Sequence, residues 1–350
     1  MTPATTTPER EAAPKRWAIL GAGGISERFA GCLARVDDAQ LLAVGSRRPE
    51  SVAQFATRVG AIKAYGSYDE LVDDDDIDIV YVGNDHVDHV PTALLCVERG
   101  RHLLVEKPLG VRRDDAERLF TAARDAGTFV MEAMWTRFLP ALQAARRVAR
   151  SGQLGRLVSA EFSFGAVVDP HKSPRIFDPW RAGGALLDRG IYPISMAHML
   201  LGPATQVVHA SSRIRDGIDL ETTATVRHGE VLVHYRAACD TSVPNTATLI
   251  GERARLTIPA VLIRPERFMI RTSDGTEQTH EHPLDGHGFE HEIRAVHEAL
   301  DNGWLEHPDW KHADTLDTHA VMDEIRRRTG LRFPFEPNEP RGTEQLRAPE

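Results

Sequence analysis

Two stretches carry side chains suited to proton chemistry. Glu106-Lys107-Pro108 follows the apolar run His102-Leu103-Leu104-Val105, which puts Lys107 at the end of an expected strand, where open α/β sheets gather their ligands. An ammonium there can bind a substrate hydroxyl or share in proton transfer, although a lone lysine reads equally as a surface residue. Farther on, Gly183-Gly184-Ala185-Leu186-Leu187-Asp188-Arg189-Gly190-Ile191-Tyr192 reads as a glycine entry into a helix. Asp188 and Tyr192 are spaced i, i+4, so one helical face is expected to carry a carboxylate and a phenol side by side. Tyr192 would serve as general acid or base toward a hydroxyl or carbonyl, with Lys107 lowering its high intrinsic pKa. Asp188 would hold that array or the substrate. The plainer alternative is an acid at a helix N-terminus beside a buried tyrosine, in a helix made irregular by Pro193.

Two further stretches suit a dinucleotide. Gly21-Ala22-Gly23-Gly24-Ile25-Ser26 follows the apolar run Trp17-Ala18-Ile19-Leu20 and opens a helical pattern. Gly21 permits a tight turn, and Gly23 with Gly24 lets backbone amides approach a pyrophosphate. The helix start at Ile25 adds partial positive charge. Ser26 occupies the third glycine position, and a bare glycine-rich turn remains the competing reading. Ser46 lies 20 residues past Ser26, in Gly45-Ser46-Arg47-Arg48. An NAD site usually has an acid there. Its replacement by Ser46 and Arg47 removes a charge that repels phosphate and adds a guanidinium that binds one, so NADP is the expected cofactor. Arg48 reads equally as a solvated loop residue.

The elements that must position these groups follow from hydrophobic patterning. Apolar runs at 17–20, 41–44, 77–82 and 102–105 alternate with helical patterns at 25–34, 49–59, 89–99 and 113–126. That alternation predicts a doubly wound parallel sheet of the Rossmann type. After about Met134, strands expected at 157–164, 206–212, 222–227, 231–237 and 246–250 suggest an open, largely antiparallel mixed sheet, with helices over 289–301 and 315–329. The expected division is a tail at 1–15, a cofactor domain at 16–134, a substrate and dimerisation domain at 135–338, and a polar tail at 339–350.

Composition excludes several classes. With 350 residues, 41% hydrophobic and 27% charged, the chain is an ordinary globular protein of two-domain size. A net charge of −9 speaks against nucleic acid as the main partner. No apolar run suggests a membrane span, and Cys32, Cys96 and Cys239 form neither a disulfide framework nor a zinc cluster, so the cytoplasm is the expected compartment. His280, His282, His287 and His291 lie close in sequence. Their spacing with His297 does not build a helical metal face, and no metal is expected.

On the Gly21 loop, Glu106-Lys107-Pro108 and the segment ending at Tyr192, the chain resembles the glucose-fructose oxidoreductase / inositol dehydrogenase / MocA family from about Arg16 to Phe335. Met131-Glu132-Ala133-Met134-Trp135-Thr136-Arg137-Phe138 and Met322-Asp323-Glu324-Ile325-Arg326 look most like its NADP-dependent D-xylose dehydrogenase / dimeric dihydrodiol dehydrogenase branch. The resemblance implies hydride transfer between NADP and a hydroxyl-bearing carbon of a sugar. Oxidation of a trans-dihydrodiol and reduction of a keto-sugar are alternatives, and a non-catalytic NADP-binding regulator is the rival from another class. It also implies Lys107 and Tyr192 as the catalytic pair assisted by Asp188, and cofactor contacts from Asn84, His89 and Glu106. Arg137, Phe138, Arg175 and Phe177 would line the substrate pocket, and a homodimer would form through the open sheet.

Overall fold

The computed structural model describes residues 13–337. The expected terminal tails therefore lie outside the described residues apart from residues 13–15, of which Lys15 already opens the first strand.

Residues 15–133 alternate strand and helix. In chain order they form β1 (Lys15–Leu20), α1 (Gly24–Leu33), β2 (Ala39–Gly45), α2 (Pro49–Val59), β3 (Lys63–Tyr65), α3 (Tyr68–Val72), β4 (Ile79–Val82), α4 (His89–Glu98), β5 (His102–Glu106), α5 (Arg113–Ala126) and β6 (Val130–Ala133). The strands make one parallel sheet in the order β3-β2-β1-β4-β5-β6. Every residue of β4 and β6 is buried, as expected of strands covered by helices on both faces. The strand order reverses between β1 and β4, and the Gly21 loop opens at that switch point, where such sheets bind ligands.

Beyond β6 come α6 (Pro140–Arg150), β7 (Leu157–Gly165), α7 (Ile191–Leu201), β8 (Gln206–Arg215), β9 (Ile218–His228), β10 (Val231–Ala238), β11 (Thr246–Gly251), β12 (Ala254–Ile258), β13 (Arg267–Thr272), β14 (Glu277–Glu281), α8 (Phe289–Asp301) and α9 (His312–Thr329). The second sheet runs β14-β13-β12-β11-β7-β10-β9-β8 and is antiparallel except for the β7–β10 pair. Alternate residues of β9 and β10 are buried toward α7, while Thr223, Thr225, Leu232, His234 and Arg236 point to the other face. The sequence reading thus obtained both sheets and their character. It assigned no strand at 130–133, and it omitted β3 and β12–β14. Those are short, and Glu277–Glu281 lacks an apolar alternation.

The last two helices return to the first domain. Trp17 Nε1 donates to His297 Nε2 at 2.9 Å, the Arg113 amide donates to Asp323 at 2.8 Å, and Trp310 Nε1 donates to the Glu132 carbonyl at 3.1 Å. Among the described residues no helix is long and apolar enough to cross a membrane.

Candidate active site

The crevice between the two sheets brings Lys107, Asp188 and Tyr192 together. Lys107 leaves the end of β5, and its Nζ donates to the Asp188 carbonyl at 2.8 Å and lies 3.5 Å from that residue's Oδ1. The same Nζ sits 4.9 Å from the centroid of the Tyr192 ring, over its face. The expected helical pairing of Asp188 with Tyr192 is replaced by another arrangement. Leu186–Gly190 form a wide π-turn ahead of α7, because Pro193 has no N–H to close the regular helical bond to Arg189. Asp188 therefore turns to Lys107 and Arg175, while Tyr192 turns to Trp135, whose Nε1 donates to the phenol oxygen at 3.4 Å.

Electrostatics follows from this packing. Burial opposes charge on Asp188, but Lys107 and Arg175 outweigh it and hold the carboxyl far below its ordinary range. Burial likewise opposes the Lys107 ammonium, yet the charges of Asp188, Tyr192 and Glu106 raise its pKa. Tyr192 corrects an expectation. Burial pushes its phenol above the ordinary value, and Lys107 offsets only part of that rise. The resting site holds an ammonium, a carboxylate and a protonated phenol.

A shell of side chains fixes this cluster, and of these the sequence reading had named only Arg175 as a site residue. Arg175 Nη2 donates to Asp188 at 2.8 Å, and its Nη1 donates to His86 Nε2 at 3.1 Å. Burial, with Arg175 and His89 nearby, holds His86 well below its usual pKa, so the neutral ring has Nδ1–H to donate to the Ala182 carbonyl at 3.1 Å. Asp219 on β9 accepts from the Leu186 amide at 2.8 Å and the Thr222 hydroxyl at 2.6 Å. It packs so tightly under Gly184, φ +109°, that a Cβ there would lie 2.2 Å from its Oδ1. Glu132 on β6 accepts from the Leu109 amide at 2.8 Å and from His319 at 3.2 Å, bracing the loop after Pro108. Phe164 meets the Tyr192 ring edge-on at 5.5 Å, and Phe289 meets Trp135 edge-on at 4.8 Å, so apolar rings flank the phenol. Nothing in local periodicity marks these residues, because tertiary packing alone brings them together.

Several of the residues expected to touch ligands have protein partners of their own. Glu106 accepts from the Tyr81 hydroxyl at 2.7 Å and from the Lys107 amide at 3.1 Å, so it braces the lysine turn from below. His89 places Nδ1 2.8 Å from the Pro108 carbonyl and Nε2 3.2 Å from the Asn84 carbonyl, and burial favours the neutral ring, whose single N–H can be donated to only one of them. Arg137 is buried, stacked 3.8 Å over Trp310 and set 3.1 Å from His198, because the turn before α9 offers it an aromatic face and α7 a polar partner inside the fold. Phe138 packs edge-on against His307, and Phe177 against the small core around Ile176 and Leu220. Of the four expected pocket residues, only Arg175 reaches the cluster. Among the described residues no group of histidine, cysteine or carboxylate side chains is set to hold a metal.

The other end of the crevice fits a dinucleotide. Gly21 has φ +102°, and a Cβ there would lie 2.7 Å from the Gly83 carbonyl, whereas Cβ atoms on Gly23 and Gly24 would meet nothing within 4 Å. That open cradle sits at the start of α1 beside half-buried Ile25. Ser26 is accommodated because Gly83 faces it, and a Cβ on Gly83 would approach Ser26 Oγ to 2.6 Å. Asn84 donates to Thr92 at 2.7 Å, while its buried Oδ1 has no protein partner. Ser46 Oγ accepts from the Arg48 amide at 3.2 Å, and exposed Arg47 pairs with Asp88 at 2.5 Å.

Residues 15–134 match the oxidoreductase family with an NAD-binding Rossmann fold, and residues 142–257 match the GFO/IDH/MocA C-terminal domain. The chain belongs to the Gfo/Idh/MocA oxidoreductases. Trans-1,2-dihydrobenzene-1,2-diol dehydrogenases are similar over nearly the full length. The human protein is 31% identical over 329 residues, covering 91% of this chain and 98% of its own, and the Macaca fascicularis protein is 32% identical with the same coverage. Among solved structures, a 3-ketoreductase from Actinomadura kijaniata in complex with NADP and TDP-benzene superposes with a TM-score of 0.82 at 27% identity, covering 90% of this chain and 98% of that one. The aldose-aldose oxidoreductase from Caulobacter crescentus shares the fold, with a TM-score of 0.82 at 22% identity over 91% of this chain and 98% of that one. As a Gfo/Idh/MocA oxidoreductase, the protein places its lysine, carboxylate and phenol where the two sheets meet.

Proposed function

We propose that this oxidoreductase is an NADP-dependent dehydrogenase acting on a ring carbon that bears a hydroxyl, in a sugar or a cyclic diol. One observation carries the reading: a protonated phenol, an ammonium and a fixed carboxylate lie together beside Trp135 and Phe164. Bound NADP would supply or accept the hydride. Tyr192 gives a proton to a carbonyl oxygen in reduction and takes one from a hydroxyl in oxidation, with Lys107 stabilising the phenolate. Asp188, held by Arg175, keeps Lys107 charged and fixed. The aromatic walls suit the apolar faces of a pyranose or a dihydroaromatic ring and exclude water. Relatives named as diol dehydrogenases and sugar oxidoreductases support both substrate types.

NADP is favoured over NAD because no carboxylate stands at the end of β2 and Arg47 can pair with the 2′-phosphate, exchanging Asp88 for it. The Gly21–Gly24 cradle would take the pyrophosphate, and the orphaned Asn84 Oδ1 is available to a cofactor hydroxyl. The outward face of the second sheet, with Thr223, Thr225, Leu232 and exposed Ile250, would pair two copies. The domain boundary near residue 134 and a reducing, cytoplasmic setting with Cys32, Cys96 and Cys239 as free buried thiols belong to the same reading.

The test is a panel of aldoses, keto-sugars and trans-dihydrodiols followed at the NADPH absorbance band. Turnover with at least one sugar or diol is expected, and cofactor binding without turnover on any of them would overturn the reading. Light scattering should show a dimer at micromolar concentration; a monomer would remove the sheet interface.

A further inference from the structure

Next to His86, which Arg175 ties to the Lys107–Asp188–Tyr192 cluster, lies a cavity of about 170 Å³ that the proposed reaction does not use. Its walls are the start of α4, the loop between Pro108 and α5, the first turns of α5, and the chain from Phe335 to Pro337. Two guanidiniums, Arg112 and Arg118, reach it, and neither pairs with a carboxylate among the described residues. Two acids also line the cavity, and each turns its carboxylate to partners other than the Arg112 and Arg118 guanidiniums. Asp115 accepts from the Arg112 amide at 3.2 Å, while Glu336 accepts from the Phe333 amide at 2.8 Å and pairs with Arg326 at 2.5 Å. Apolar lining comes from Val87, Val90, Val111 and Phe335. An adjoining cavity of about 200 Å³ shares Arg112 and is lined by Arg326, whose Nε is buried without a partner. Among the described residues, Arg112 and Arg118 thus line the cavity with no carboxylate ion pair of their own, beside apolar side chains, in a chain of net charge −9.

We propose that this cavity binds a small organic anion, a carboxylate or phosphate ester with a short apolar body. Arg112 and Arg118 would grip the anionic head by charge-assisted hydrogen bonds, and the valines with Phe335 would cover the body. The floor gives the site a route to the chemistry. His86 lines the cavity and also accepts from Arg175, which holds Asp188 beside Lys107. A ligand pressing on His86 acts on the clamp without entering the crevice.

Phenyl phosphate and benzoate are the probes, titrated calorimetrically into protein saturated with NADP so that the cofactor's own phosphate contacts are filled. Saturable binding of at least one is expected, weakened ten-fold or more in Arg112→Ala/Arg118→Ala, while that variant keeps its NADP affinity and circular dichroism. Binding of phenyl phosphate alone assigns a phosphate site, and binding of both assigns a general anion site. Benzyl alcohol, the neutral analogue, should not bind measurably. No saturable binding of either anion, or equal binding to the double variant, would overturn the proposal. A correctly folded Arg112→Lys/Arg118→Lys variant should recover part of the affinity, which separates loss of charge from local unfolding.

Discussion

The two ends of the crevice are built on opposite terms. At the Lys107 end the side chains of Lys107, Asp188 and Tyr192 are almost wholly enclosed and each is held by at least one partner, and their surroundings are fixed by Glu132, His86 and Asp219. At the Ser46 end, Arg47 is exposed and holds its place by one ion pair with Asp88. Exposed pairs contribute little to stability, so the rim can change its ligand preference without disturbing the fold. The buried end has no such freedom, because removing one partner leaves another charge uncompensated in a low-dielectric site. On the proposed reading, chemistry is fixed at one end and cofactor choice is adjustable at the other.

The sharpest way to break that contrast is to remove the proton-transfer groups. Lys107→Met and Tyr192→Phe should each lower kcat by ~10²-fold or more, the scale of a positioned acid or base, while NADP binding measured by fluorescence stays unchanged. Near-normal turnover in either would take that residue out of the mechanism. At the rim, Ser46→Asp/Arg47→Ala should invert the cofactor preference. A charge-assisted contact worth about 1.5–3 kcal/mol corresponds to roughly 10- to 150-fold in kcat/KM for NADP, and the introduced aspartate favours the free ribose hydroxyls of NAD. A wild type that already prefers NAD would end the assignment.

Proton inventory gives a smaller effect. Tyr192 and Lys107 both have raised pKa values, so the site rests in the form that donates a proton. Reduction should therefore proceed at neutral pH and decline on the alkaline side, whereas oxidation should accelerate as pH rises toward the phenol pKa. Profiles of kcat/KM in the two directions that run parallel would contradict this. The smallest effect concerns stability. Burial pushes the Asp219 carboxyl up to about 6. Since the unfolded value is near ~3.9, its protonated form stabilises the fold fully below that pH, and the contribution is lost as pH rises through about 6. The Tm of the wild type should fall relative to that of Asp219→Asn between pH 4 and pH 7; a constant difference would show that Asp219 does not titrate there.

The same contrast explains what the sequence disclosed. The glycine loop, Arg47, Lys107 and Tyr192 are legible because each sits at a strand end or helix start that local pattern marks. Both sheets were legible for the same reason, since β4 is a run of buried apolar residues and β9 alternates from Leu220 onward. His86, Asp219 and Glu132 were not. Each is a polar residue whose partner lies far along the chain, such as Leu109 for Glu132 or Ala182 for His86. Arg137 shows the converse failure. Resemblance put it in the pocket, whereas Trp310 and His198 draw it inward.

The return of α8 and α9 onto the first domain bears on how such a protein can be recombined. A cut near residue 134 looks modular, yet it would separate Trp17 from His297, the Glu132 carboxylate from His319, and the start of α5 from Asp323. A chimaera that exchanges only the N-terminal cofactor domain inherits foreign helices against its sheet and a buried Glu132 without its acceptor-satisfying neighbours. The transplantable unit is instead discontinuous: residues 15–138 together with the two closing helices, with the strands between them as the exchangeable insert. Grafting a new substrate sheet into that frame should preserve the position of Lys107, while swapping the frame at its apparent seam should lose it.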